Sequence, residues 1–174
     1  MLGRSPELLQ VIIEVPSSSP AIQYEVDNKS GALFVKRFLE TSMHFPCDYG
    51  YIPHSSTIQN DFLRVLVITP IPVIRHCLIH CRVIGMLEIN LHGAIENKIV
   101  TVPIDALTER YDDVHTVGDL SSPLLDKIAH FFIHYHDVND NTAITTWHDK
   151  NAAITELTAC MHRYEGKVKE LAIA

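Results

Sequence analysis

The sequence predicts an α+β protein, a closed or partly closed β-barrel with helices packed outside it. Two observations lead there. Up to Pro103 the apolar residues fall in short β-branched or alternating runs cut by proline, glycine and asparagine turns, and beyond Pro103 the apolar period becomes that of a helix. At 174 residues, 47% hydrophobic and 20% charged, the chain can bury one core. It shows no repeat, low-complexity segment or linker, so a single domain over residues 1–174 is expected.

In chain order, Val11 to Val15 is a short strand closed by Pro16 and a Ser-Ser-Ser-Pro turn. Ala21 to Val26 alternates Ile22, Tyr24 and Val26 against Gln23 and Glu25. Asn28, Ser30 and Gly31 then make a turn and Ala32 to Leu39 returns, so these three strands are expected to form an antiparallel meander. Phe45, Tyr49 and Tyr51 gather around a Pro-Cys-Asp turn, a polar loop follows, and Phe62 to Thr69 is a buried strand stopped by Pro70 and Pro72. Cys77 to Leu91 is one bent strand or two, with Gly85 at the bend, and Lys98 to Ile104 completes the β-rich part. Ser122 before Pro123 is a helix start, and Leu124, Leu125, Ile128, Phe131, Phe132 and Tyr135 repeat at helical spacing. Asn139 to Thr146 reads as a surface loop leading to Trp147. A second helix begins near Asn151, carries Ile154, Leu157, Met161 and Tyr164, and is expected to end its regular part at Gly166.

The formal charge of −7, with no block of lysine and arginine, excludes the clustered positive charge that nucleic acid or an anionic membrane requires. The N-terminal MLGRSPELLQ has no signal-peptide pattern, and no apolar run reaches the ~18–20 residues that span a bilayer. A cytoplasmic protein is therefore expected. Cys47, Cys77, Cys81 and Cys160 lack CxxC spacing and read as free thiols. His130 and His134 stand four apart on the first helix, a spacing that can hold a metal, but no HExxH pattern accompanies them. They read as packed imidazoles or a subunit contact, and His76, His80 and His92 as ordinary surface or strand residues.

The loop before the Phe62 to Thr69 strand gathers Gln59, Asn60, Asp61 and Arg64 where a rigid scaffold can aim polar side chains into a cleft. In this setting the order of segments becomes specific: IEVPSSSPAIQYEVDNKSGALFVKRF, FPCDYGYIPH, VLVITPIP, CRVIGMLEI, KIVTVP and IAHFFIHYHD. The chain resembles the soluble family I inorganic pyrophosphatases of the bacterial type over nearly its whole length. That resemblance implies a five-stranded OB-type barrel with flanking helices, a hexamer of identical subunits, and hydrolysis of diphosphate to two phosphates with several Mg²⁺ ions. Such chemistry needs carboxylates for the hard cations, and Lys, Arg and Tyr for the phosphoryl oxygens.

The family's metal signature is D-x-D-P-x-D, and here it reads Gln59-Asn60-Asp61-Phe62-Leu63-Arg64. Only Asp61 remains. Gln59 can offer a neutral oxygen, whereas Arg64 has no acceptor and is always charged. Placed about 4 Å from a cation, it would oppose binding by ~4 kcal/mol per unit of cation charge at an effective dielectric near 20. Leu91 stands where the next metal-binding aspartate is expected, and the acid after it is kept as Glu96. Gln23, Phe45 and His136 replace a lysine, an aromatic hydroxyl and a lysine of the substrate pocket. Glu14, Glu25 and Asp61 match catalytic positions, Arg37, Tyr49, Lys98 and Tyr135 substrate-binding ones, and Glu96 with Asp61 a weakened Mg²⁺ site. Two functions compete: a weakened Mg²⁺-dependent diphosphatase, and a silent homologue that keeps the oligomer and binds diphosphate or phosphate. The joint loss of acids and lysines favours the second, a pseudoenzyme in which metal binding is weak or absent.

Overall fold

The computed structural model describes residues 8–27, 29–135 and 143–173. The first seven residues, the Asn28 turn position, His136 and positions 139–142 of the expected loop lie outside the described residues. The elements run β1 (Leu8–Val15), β2 (Ile22–Val26), β3 (Leu33–Phe38), β4 (Asp48–Tyr51), β5 (Arg64–Val67), β6 (Leu78–Leu91), β7 (Ala94–Pro103), α1 (Ser122–Tyr135), β8 (Ile144–His148) and α2 (Lys150–Ile173).

The main sheet has the order β1-β4-β5-β7-β6-β8, and β6 also returns to β1, through pairs from Leu8 with Arg82 to Ile12 with Leu78. That pairing closes five strands into a barrel and leaves β8 attached outside, along β6. Strands β5 and β7 pair in parallel, Arg64 beside Lys98, and the other ladders are antiparallel. The expected meander is not formed. Strand β1 uses both its edges on β4 and β6, so β2 and β3 pair only with each other as a separate hairpin.

Close approach explains two glycines. A Cβ on Gly50 would lie 2.1 Å from the Ile12 carbonyl oxygen, where β4 crosses β1. One on Gly85 would lie 2.2 Å from Val117 Cγ2 and 2.7 Å from the His148 carbonyl oxygen. Gly85 also follows the register break between Val83 and Gly85, and β6 is one continuous strand with an irregularity there.

The curved sheet buries both faces, so alternate residues serve two cores. Leu66, Ile84, Leu87, Val100 and Val102 join Ile128, Phe131 and Phe132 of α1. Val65, Val67, Val83 and Ile99 join Ala153, Leu157 and Cys160 of α2. Truncating a fully buried aromatic such as Phe132 to alanine costs about 3–5 kcal/mol. The four cysteines are free, three of them buried and Cys77 partly so.

Strands β4 and β8 were not expected. Strand β4 is four residues long and contains Gly50, so it reads as part of a turn. Strand β8 begins within the stretch expected as loop and runs past it through Trp147 to His148. The end of α2 also differs: it passes Gly166 without a break and continues to Ile173. Side chains at 163, 164 and 167 find partners on the loop before β5, and these contacts hold the helix past its weak point.

Candidate active site

Of the residues expected to form a site, Glu14, Tyr49, Asp61, Glu96 and Lys98 gather around Arg64 on the α1 face of the barrel, at the start of β5. Arg64 opens that strand with Tyr51 of β4 on one side and Lys98 of β7 on the other. Two residues along, Leu66 enters the α1 core, so the same strand face carries Arg64 above a buried floor. That floor is aromatic. Phe45 lies 4.7 Å from Phe131, 5.7 Å from Tyr49 and 5.8 Å from Tyr135, measured between ring centroids.

Arg64 is the centre of the polar network. Its Nη1 donates to Glu14 Oε2 at 2.5 Å, and its Nη2 donates to Asp61 Oδ2 at 3.1 Å. The guanidinium also lies 6.0 Å from the Tyr49 ring centroid. Lys98, almost wholly buried, donates to the Tyr49 hydroxyl at 3.3 Å and to Glu96 Oε2 at 3.4 Å, and its ammonium lies over the Phe132 ring. Arg64 with Glu14 and Asp61, and Lys98 with Glu96, thus form two charged groups that meet at the neutral Tyr49 ring and hydroxyl. Gln59, Leu91 and Phe45 carry no charge into them.

Burial sets the electrostatics of these groups. Desolvation pushes the Glu14 carboxyl above its ordinary value, and Arg64 offsets that only in part. Burial alone would weaken the Arg64 cation, but the charges of Glu14 and Asp61 more than offset it, so the guanidinium stays charged. Burial likewise pushes the Tyr49 hydroxyl well up, leaving a neutral phenol. Glu14 Oε1 has no hydrogen-bond partner among the described residues.

The β2–β3 hairpin places the remaining candidates. Gln23 is the cross-strand partner of Arg37, and its amide donates to the Tyr135 carbonyl oxygen at 3.2 Å, which ties the hairpin to the end of α1. The Tyr135 ring joins the aromatic floor, and burial raises its hydroxyl. Glu25 pairs with Lys36 at 3.5 Å on the exposed side of the hairpin, apart from the Glu14–Arg64–Asp61 chain. A cleft of about 330 Å³ opens elsewhere, near Cys47, Thr69, Arg110 and Leu124, and includes none of these residues.

The donor set does not fit a pair of Mg²⁺ ions. A hard cation needs free carboxylate oxygens around it, and here a permanent cation already takes an oxygen from each of Glu14 and Asp61. Leu91 packs against the α1 core. Among the described residues no group of three or more histidines, cysteines and acids is placed to hold a metal. On α1, the His130 and His134 rings lie 4.6 Å apart. The cation at position 64 is legible in the sequence and its bond to Asp61 spans only three residues, but its bond to Glu14 depends on β1 lying across β4 from β5, which no local pattern encodes.

Fold and site together define an OB-type barrel with a compact cluster of acids, bases and phenols at the mouth of its parallel strand pair. The family model for inorganic pyrophosphatase matches residues 11–165. The inorganic pyrophosphatase of Escherichia coli is 40% identical over 164 residues, 93% of each chain. Solved structures agree: an inorganic pyrophosphatase from Coxiella burnetii has a TM-score of 0.83 at 35% identity, covering 94% of this chain and 99% of its own. That from Thermus thermophilus also scores 0.83, at 31% identity, with 93% and 94% covered. The chain belongs to the inorganic pyrophosphatase family.

Proposed function

We propose that this single-domain chain, residues 1–174, is a family member whose hydrolysis of diphosphate is strongly impaired or lost. It keeps a pocket for phosphate lined by Arg37, Tyr49, Lys98 and Tyr135. The supporting observation is Arg64, tethered between Glu14 and Asp61 where the family resemblance calls for an aspartate. A side-chain cation here neutralises the acids that would otherwise recruit Mg²⁺, so binding of that ion is weak or absent. Asp61, Glu14 and Glu25 then lack the metal-activated water on which the family's reaction depends. The chain is further proposed to assemble as a homo-oligomer, a hexamer by resemblance, in the cytoplasm, without nucleic-acid or membrane partners.

Phosphate release from Mg-diphosphate by the purified protein tests this, and release near background is expected. Gln59→Asp, Arg64→Asp and Leu91→Asp introduced together should restore metal binding and turnover, whereas each alone recovers little because the acids act as a unit. A triple variant with neither gain sinks the account of the defect. Sizing chromatography with light scattering checks the oligomer.

A second reading, an active but weakened diphosphatase, draws on the exposure of two acids. The Asp61 and Glu96 side chains are 49% and 45% exposed and present carboxylate oxygens to solvent. Magnesium-dependent turnover clearly above background but below that of an intact family member would favour it.

A further inference from the structure

The loop between β4 and β5, which carries Gln59, Asn60 and Asp61, is not held by its own backbone alone. Thr57 N–H donates to the Asp61 carbonyl at 2.8 Å, Asn60 N–H donates to the Thr57 carbonyl at 3.1 Å, and Asp61 N–H donates to Thr57 Oγ1 at 3.2 Å, closing a tight turn. The turn needs left-handed backbone at Asn60, φ 67°, and a second such residue, His54, φ 60°, precedes it. Asparagine tolerates that conformation better than most residues, but the strain has to be supported by the surroundings.

The support comes from α2. Ser56 N–H donates to the Cys160 carbonyl at 2.9 Å, and Arg163 Nη1 donates to the Ser56 carbonyl at 3.0 Å. The Tyr164 hydroxyl lies 3.2 Å from His54 Nδ1. One turn further on, Lys167 Nζ donates to Ser56 Oγ at 2.5 Å and to the side-chain oxygen of Asn60. Arg163 and Lys167 are four apart on one helix face, so the pair grips both ends of the turn. Lys167 lies beyond residue 165, where the match to the family model ends.

We propose that Lys167 is a positioning residue: with Arg163 it latches the end of α2 onto the β4–β5 loop and so fixes where Asp61 stands beside Arg64. A charged donor to a side-chain amide is the stronger kind of hydrogen bond, and it reaches the residue immediately before Asp61. Arg64 holds that acid from the barrel side, while Lys167 holds the side chain of the preceding Asn60 from the helix side. The loop is thus kept ordered by side-chain cations of the protein itself. This last point rests on the reading of Arg64 given above; the latch does not.

Hydrogen exchange of the peptide covering residues 54–63 tests the latch in the full-length protein. Lys167→Ala loses two charge-assisted hydrogen bonds; it should speed exchange there by at least about ten-fold and leave the barrel strands unchanged. Lys167→Arg should restore protection by returning a charged donor. Unchanged exchange in Lys167→Ala overturns the proposal, as does a uniform rise across the whole chain. In the triple-aspartate background, Lys167→Ala should lower kcat several-fold and Lys167→Arg recover it, an effect that loss of global stability alone would not give. If the triple variant has no turnover, the reading of Arg64 fails, and the exchange comparison still decides the latch.

Discussion

Among the described residues two carboxylates, Asp48 and Glu14, are buried, and their surroundings differ in kind. Asp48, at the start of β4, accepts from the Ser17 amide at 2.6 Å, from the Thr69 hydroxyl at 2.8 Å and from the Val73 amide at 3.0 Å. Both its oxygens are used, all by neutral donors, and it ties the β1–β2 and β5–β6 loops to the start of β4. Glu14, on β1, has one oxygen on a guanidinium and the other without a partner among the described residues. Burial raises both carboxyls. The first is the environment of an acid that holds structure; the second is held by one permanent cation and keeps an acceptor oxygen unspent.

The largest effect that can break this comparison is the loss of Arg64. Arg64→Met leaves Glu14 buried without its cation, at a cost of about 3–5 kcal/mol in chemical denaturation. Adding Glu14→Gln should recover most of it, because the pair together is worth far less than either partner stranded. Equal losses in the single and double variants would show that the pair is not the relevant unit.

Next comes Asp48→Asn, which turns one acceptor oxygen into a donor facing existing donors and should cost about 1–3 kcal/mol. The pH dependence sharpens the contrast. Because the folded-state pKa of Asp48 lies above its unfolded value, its contribution is fully present below the unfolded value and is lost as pH rises through the folded one. Asp48→Asn lacks that decline, so the stability gap between wild type and variant should narrow as pH climbs above about 4. A gap that widens over the same interval contradicts the assignment. The smallest effect is at the exposed Glu25–Lys36 pair, where Lys36→Met should change stability by less than about 0.5 kcal/mol.

Much of this molecule is legible locally. The β-branched runs, the Ser122-Pro123 start and the apolar stripe from Leu124 to Tyr135 each encode an element through short-range periodicity. The polar identities at 59, 61 and 64 are equally visible, because a motif is read in order along the chain. What escapes is whatever depends on strand neighbours. Nothing near Glu14 shows that it will lie against Arg64, fifty positions away. Gly166 is a helix-stop signal that long-range contacts override, and the Lys167–Asn60 contact that helps to do so is itself set by the tertiary fold. The same holds for β2 and β3, whose pattern reveals two strands but not that β1 is already occupied on both sides.

That double occupancy of β1 bears on how the chain reaches its native state. The first described strand is completed only when Leu8 meets Arg82 and Val11 meets Ile79, so a long segment must be looped back before the ring is shut. A topology rich in such distant pairings folds slowly. During synthesis β1 must wait, one of its edges open, until β6 has left the ribosome.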